Sequence, residues 1–350
     1  MSEAAKKEKT NLKDMTLSEM EEFISGLGKE RYRAGQIMKW LYRHYAVSIE
    51  EMTNLSKDFR SALGELARIS AIHVDALQTS RDRTRKILFR LEDGNHIESV
   101  LIPGKNHWTL CVSTQAGCRM YCRFCLTGRC GFKRDLLPSE ITDQITVLRR
   151  QMPDYNIGNI VMMGMGEPLD NYANVLKALE IMSLDIGLSF SGRRVTVSTC
   201  GIPPMIRRLG REANVNLAVS LNAADNRTRS FLMPINKKYP IEEIIHACRE
   251  YEMPRRRRIT FEYILIEGVN ASVQDAEKLA RLLRGVRCKI NLIAYNEHPG
   301  SGFKTPSRET IDGFRNVLVH HKYTTVLRAS RGADILAACG QLGSALGLPG

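Results

Sequence analysis

No stretch of this chain approaches the roughly 20 apolar residues that a membrane-crossing helix needs. The opening Met-Ser-Glu-Ala-Ala-Lys-Lys-Glu-Lys also lacks the apolar core of a secretory signal, so a cytoplasmic protein with no membrane partner is expected. No internal repeat or low-complexity segment is evident. A second Cys-x2-Cys pair and a His-x3-His pair, the usual marks of a zinc site, are both missing. The nine cysteines are an odd number, which argues against a fully paired disulfide framework, and in the cytoplasm clustered thiols point to metal or redox chemistry. Acidic charge is in deficit: 38 carboxylates against 51 Lys and Arg leave a formal charge of +13. Such an excess favours a polyanionic partner, usually nucleic acid. The 350 residues are enough for one large domain with a small appendage, and a monomer is the default.

The periodicity divides the chain into four parts. Residues 1–12 read as a polar tail. Residues 13–68 read as a small helical domain, with Met20, Phe23, Ile24 and Leu27, then Ile37, Trp40, Leu41 and Tyr45, recurring at three- and four-residue intervals. Residues 69–103 read as a β-hairpin extension turning at Asp93-Gly94-Asn95. Residues 104–350 read as the main core. There, strands at 110–114, 159–164, 194–199, 216–221, 258–266 and 289–294 alternate with helices near 139–151, 172–183, 204–211, 241–251, 272–285 and 307–320. The pattern implies an α/β fold with a parallel sheet and right-handed crossovers, open or curled into an incomplete barrel. Ligands of such sheets gather at the carboxyl ends of the strands.

Cys118, Cys122 and Cys125 follow the first of these strands, in the run Cys-Arg-Met-Tyr-Cys-Arg-Phe-Cys. Three thiolates can ligate three corners of a four-iron, four-sulfur (4Fe–4S) cluster and leave the fourth iron open to a substrate. This spacing resembles that of the radical S-adenosylmethionine (SAM) enzymes. The resemblance implies a partial (β/α)6 barrel in which the open iron chelates SAM and an electron from the cluster cleaves it to a 5′-deoxyadenosyl radical. Gly166-Glu167-Pro168, after the second strand, is similar to the segment that holds the SAM amino group. Ser198, Ser220-Leu221-Asn222 and Asn296 end later strands. Each could be a polar turn residue, but their recurrence at one rim favours ligand contact. Phe124 occupies the place of an aromatic that packs beside the SAM adenine. Cys130 departs from the pattern and reads as incidental, as a fourth ligand would exclude SAM.

Taken singly, Cys111 and Cys339 look like buried thiols and Glu98 like an exposed strand carboxylate. Together with Gln115-Ala116-Gly117-Cys118, Gly131-Phe132, Met163 to Pro168, Leu232 to Asn236 and Ala338 to Leu342, they resemble the RlmN/Cfr family of RNA methyltransferases over about residues 15–345. That resemblance implies a chemistry suited to an adenine carbon too weakly nucleophilic to attack SAM. Cys339 takes a methyl group from one SAM, a second SAM converts it to a carbon radical that adds to the base, Glu98 removes a proton, and Cys111 releases the product by forming a disulfide. It further implies 23S rRNA and tRNA as substrates, a helix-hairpin-helix-like RNA-binding N-terminal domain, and a flavodoxin- or ferredoxin-type electron donor. Glu167 and Asn222 favour methylation at C2 over the C8 reaction of Cfr-like members. The arginines at 255–258, Arg207, Arg208, Arg211, Lys237, Lys238, Arg328 and Arg331 are candidate phosphate contacts, and Tyr32, Tyr42 and Tyr45 candidate stacking residues, with core packing favoured for Tyr45.

Overall fold

A computed structural model describes residues 9–343 other than 299. The first eight residues of the expected tail and the last seven of the expected core lie outside the described residues. The tail reading does not hold to residue 12. Thr10–Asn11 pair in parallel with Ala67–Arg68, and Leu12 is buried, so this segment belongs to the helical unit. That unit comprises α1 (Leu17–Gly26), α2 (Tyr32–Tyr42) and α3 (Lys57–Leu66). Thr16 starts α1 with a capping box: its hydroxyl accepts from the Glu19 amide at 3.3 Å and its own amide donates to the Glu19 carboxylate at 2.9 Å. Met20 and Ile24 turn the buried face inward. Of the three tyrosines offered for stacking, Tyr42 is fully buried with its hydroxyl donating to the Lys13 carbonyl at 3.0 Å, so it cannot meet a base; Tyr45 is half-buried and Tyr32 exposed.

Lys13 fastens this unit to the rest of the molecule. Its ammonium lies 2.5 Å from Asp143, and both side chains are almost completely buried. Removing one member of a buried pair leaves the other charge uncompensated. Lys13→Ala is therefore expected to cost about 3 kcal/mol, measured by chemical denaturation.

The remainder is built on one ten-stranded sheet whose spatial order follows the chain, β1 to β10. β1 (His73–Thr79), β2 (Arg85–Arg90) and β3 (His96–Pro103) are antiparallel, and β3 is antiparallel to β4 (Trp108–Cys111). The expected hairpin, β2 and β3, is thus the centre of a four-stranded antiparallel meander. It is continuous with the core sheet. From β4 onward the strands are parallel: β5 (Ile157–Met162), β6 (Val195–Thr199), β7 (Asn216–Ser220), β8 (Ile259–Leu265), β9 (Cys288–Ala294) and β10 (Thr325–Arg328). All seven residues of β8 are buried, as expected for a parallel strand covered on both faces. β10 adds a seventh parallel strand to the six expected.

The helices are α4 (Leu126–Arg129), α5 (Pro138–Gln151), α6 (Tyr172–Ser183), α7 (Pro203–Glu212), α8 (Asn226–Leu232), α9 (Ile241–Glu250), α10 (Val273–Leu282) and α11 (Arg308–His320). The sheet curls, because residues at the carboxyl ends of β5 through β10 line a single cavity. β1 and β10 remain its two open edges.

Candidate active site

The three-cysteine loop leaves the sheet after β4 and is pinched at its neck. Gln115–Gly117 pairs antiparallel with Phe132–Asp135, and the Cys118 amide donates to the Gly131 carbonyl at 3.1 Å. Gly117 is indispensable there: it sits at φ 79°, and a Cβ would fall 1.8 Å from the Gly131 oxygen. Inside the loop the Cys125 amide donates to the Cys122 carbonyl at 3.1 Å as α4 begins. Tyr121 adopts φ 52°, a left-handed conformation that costs an L-residue roughly 1–2 kcal/mol.

Cys118, Cys122 and Cys125 are free thiols lining one cavity with Met120 and Phe124. The cavity has a volume of about 820 Å³, mouth included. Burial raises Cys118 to about 12 and Cys122 well above its ordinary value. Thiols this reluctant to ionise become thiolates only if a cationic centre sits among them. Among the described residues no three thiol, imidazole or carboxylate groups converge tightly enough to clasp a single ion. Three thiols from one loop, lining the wall of an open cavity that Cys200 and Cys339 also border, fit a multi-iron cluster with one open corner. Cys130 is turned away; its thiol donates to the Gly343 carbonyl at 3.4 Å, and it is absent from the cavity wall.

Opposite the loop lies the turn after β5. Gly166 is at φ 100°, where a Cβ would come within 2.5 Å of the Gln115 Cβ. Glu167 is buried and held from three sides. Its amide donates to Gln115 Oε1 at 2.9 Å, while its carboxylate accepts from the Cys200 amide at 2.7 Å and the Leu169 amide at 3.1 Å. Burial raises its pKa against these bonds. A cationic group entering beside it would be welcome.

Ser198, Ser220 and Asn222 also face the cavity. Asn222, at φ 58°, accepts from the Ile264 amide at 2.9 Å. Leu221 and Asn296 do not reach the wall. Leu221 is fully buried, and its carbonyl accepts from Arg229 at 3.1 Å. Asn296 instead donates to the Cys339 carbonyl at 3.3 Å and accepts from the Ser330 hydroxyl at 2.5 Å.

Two arginines gain unforeseen importance. Arg229 is completely buried, and among the described residues no carboxylate bonds to it. Its guanidinium donates to the carbonyls of Cys200 and Leu221 and, at 3.0 Å, to Asn236 Oδ1. It thereby ties the ends of β6 and β7 to the turn after α8. Arg328, at the end of β10, lies in the cavity wall 3.7 Å from Glu262. Its place in the cavity wall corrects the expectation that it contacts phosphate as one of the basic surface residues.

Cys339 belongs to the same wall, beside Arg328 and Gly340. It opens to solvent through the cavity, yet the surrounding protein mass raises its pKa, and Arg328 draws it down. Cys111, buried on β4, is raised to about 12 by burial and by Cys339, with Arg328 again opposing. Two thiols thus share one guanidinium.

The segment bearing Cys339 is stitched to the cysteine loop. The Leu126 amide donates to the Gly340 carbonyl at 2.7 Å, and the Thr127 hydroxyl to the Leu342 carbonyl at 2.7 Å. Glu98 lies beneath this segment, outside the cavity wall, and is fully buried, contrary to an exposed strand carboxylate. It accepts from the Gly343 amide at 2.6 Å, with Lys86 3.5 Å from its other oxygen.

A curled parallel sheet with a three-cysteine loop after its first parallel strand defines a radical SAM enzyme, and the model of the radical SAM superfamily matches residues 112–283. The model of the ribosomal RNA large subunit methyltransferase N-terminal domain matches residues 10–69. The dual-specificity RNA methyltransferase RlmN of Syntrophus aciditrophicus is 60% identical over 333 residues, covering 95% of this chain and 96% of that protein. Its counterpart in Geobacter sulfurreducens is 52% identical, covering 95% and 91%. The crystal structure of a radical SAM methyltransferase from Sphaerobacter thermophilus superimposes with a TM-score of 0.88 at 44% identity, covering 95% of this chain and 99% of that one. The chain belongs to the RlmN family of radical SAM RNA methyltransferases. Among the described residues no helix is long and apolar enough to cross a membrane.

Proposed function

We propose that this enzyme methylates C2 of an adenosine in the peptidyl transferase centre of 23S rRNA, and C2 of an adenosine beside the anticodon of tRNA, by way of S-methylated Cys339. The observation that carries this reading is Cys339 standing with Arg328 in the wall of the cavity that the loop cysteines line, with Cys111 at the end of β4. The dual-specificity name of the relatives supports the two RNA classes.

Cys118, Cys122 and Cys125 would hold the 4Fe–4S cluster, and Gly166, Glu167, Ser198, Ser220, Asn222 and Phe124 would hold SAM, with Glu167 as the acceptor for its ammonium group. The cluster and a second SAM supply, when bound, the 5′-deoxyadenosyl radical that makes the S-methyl carbon reactive towards an sp2 carbon. Cys339 first acts as the nucleophile. Its thiolate attacks the methyl carbon of one SAM, the sulfonium–methyl bond breaks and S-adenosylhomocysteine leaves, and Arg328 favours the ionised form. After the carbon bond to the base has formed, Glu98 takes the adenine C–H proton, which requires Gly343 to lift from its carboxylate. Once the base has given up its unpaired electron, for which the cluster would be the acceptor, the Cys111 thiolate attacks the Cys339 sulfur. The C–S bond breaks with its electron pair staying on the exocyclic carbon, which takes a proton to become the methyl group, and a Cys111–Cys339 disulfide remains. Asn296 keeps the Cys339 backbone in place, and the base must leave its stack to arrive there.

Glu98→Gln preserves an acceptor for Gly343 and removes the base. Methylated RNA should fall by about a hundredfold while Cys339 S-methylation, read by peptide mass spectrometry, persists. The test of the whole reading is anaerobic: reconstituted enzyme, reductant, SAM and a 23S rRNA fragment, digested to nucleosides. 2-Methyladenosine supports it; 8-methyladenosine replaces C2 with C8 chemistry.

A further inference from the structure

The cysteine loop has an outer side that the cavity does not use. Tyr121, 57% exposed, stands there with Arg123 and with Phe231 of α8, 44% exposed, and none of the three lines the cavity. The Arg123 guanidinium lies over the Phe231 ring at 4.5 Å, and the Arg123 amide donates to the Leu232 carbonyl at 2.9 Å. Phe303 meets Phe231 edge-on, with ring centroids 6.2 Å apart, and packs inward against the group containing Met120 and Phe124. Arg227 is exposed one turn before Phe231 on α8, so both residues share a face. Neither Arg123 nor Arg227 forms an ion pair among the described residues, whereas Arg119 in the same loop is matched by Asp170 at 2.9 Å. The result is an aromatic patch with an uncompensated cationic rim, one ring of it carried on a left-handed residue next to Cys122.

We propose that this face is the docking surface for the electron donor, a small acidic one-electron carrier of the flavodoxin or ferredoxin type. The proposal rests on the radical chemistry above. An electron must reach the cluster while SAM and the adenine fill the cavity, so the donor has to approach from outside the loop. Cys122 lies between Tyr121 and Arg123 and gives the shortest covalent route from this face to a ligated sulfur. Exposed aromatics beside arginine are the composition of protein interfaces, and an unpaired cationic rim speeds and orients an acidic partner. A nucleobase could stack on the same rings, but the reacting base must enter the cavity, whose wall these rings do not form. The transfer itself is balanced: the donor is oxidised by one electron, the cluster is reduced by one, and no bond or proton moves.

Reduced flavodoxin is the probe, titrated into the reconstituted enzyme by calorimetry and, separately, used to drive SAM cleavage. The variants are Arg227→Glu alone and Arg227→Glu combined with Phe231→Ser, neither residue lining the cavity. Each should weaken flavodoxin binding at least tenfold and cut flavodoxin-driven 5′-deoxyadenosine formation in proportion, while dithionite-driven cleavage stays unchanged. Wild-type affinity should fall as salt rises. Unchanged flavodoxin affinity in all the variants overturns the proposal. So does a loss of affinity for the 23S rRNA fragment with flavodoxin binding intact, which would make the face an RNA contact. Should the wild-type enzyme fail to cleave SAM even with dithionite, the radical reading falls, and the calorimetric comparison still decides the docking surface.

Discussion

A Cys111→Ala enzyme, given SAM, reductant and RNA under anaerobic conditions, should accumulate a covalent protein–RNA adduct and release almost no methylated product. Cys111 ends β4 next to the cavity wall that carries Cys339, and both Cys339 and Arg328 act on it electrostatically, so Cys111 is the thiol assigned to attack the Cys339 sulfur. Of the other thiols, Cys130 is engaged with Gly343, Cys248 and Cys288 are buried in the main core, and the loop cysteines are committed to the cluster. Cys200 also lines the cavity, and a Cys200→Ala enzyme, expected to release product normally, is the control. Without a resolving thiolate the C–S bond to the base has no route to break. A denaturing gel with labelled RNA reads the outcome, and proteolysis should place the link on Cys339. Release of methylated RNA at the normal rate would remove Cys111 from the mechanism, whereas an adduct on another cysteine would reassign Cys339.

The second large effect concerns stability. Arg229→Met should destabilise the protein by roughly 5 kcal/mol, because the Cys200 and Leu221 carbonyls and the Asn236 side chain all lose their donor in a dry interior, each at about 1–3 kcal/mol. Arg229→Lys should recover only part of this, as one ammonium cannot span acceptors on separate elements. Urea denaturation of the cluster-free protein measures both. The same guanidinium lies within electrostatic reach of Cys122 and Glu167. In the loaded Met variant, SAM affinity should therefore fall as well, through displacement of Glu167 and the β6 end.

Much of this was legible in the amino-acid order because the relevant signals are local. The loop spacing, the Gly-Glu-Pro turn and the alternation of strand with helix each occupy a short window, and the structure brings the three cysteines, Gly166, Glu167, Ser198, Ser220 and Asn222 to one cavity. What escaped was set by burial from elsewhere. β1 is exposed along most of its length and shows no inward face to read. β10 has four residues, too few for a period. α8 opens on Asn-Arg-Thr-Arg, and Asp225 starts it by accepting from the Thr228 amide at 2.8 Å, without an apolar stripe to announce a helix. Glu98 looked exposed because its partners, Lys86 and Gly343, lie 12 and 245 residues away. Leu221 looked like a rim residue since it stands between Ser220 and Asn222, but the alternation of a strand sends it the other way.

The ten strands lie side by side in the order in which they occur along the chain. As the polypeptide emerges from the ribosome, each strand therefore meets the exposed edge of the one made just before it. No strand has to wedge between two that are already paired. Loop closures stay short for so large a sheet, which keeps their entropic cost low and favours assembly during synthesis over slow search afterwards. The growing edge is also a temporary hazard, since an unpaired strand can recruit another chain. Pauses in translation between β4 and β10 should accordingly raise aggregation more than pauses within the helical unit.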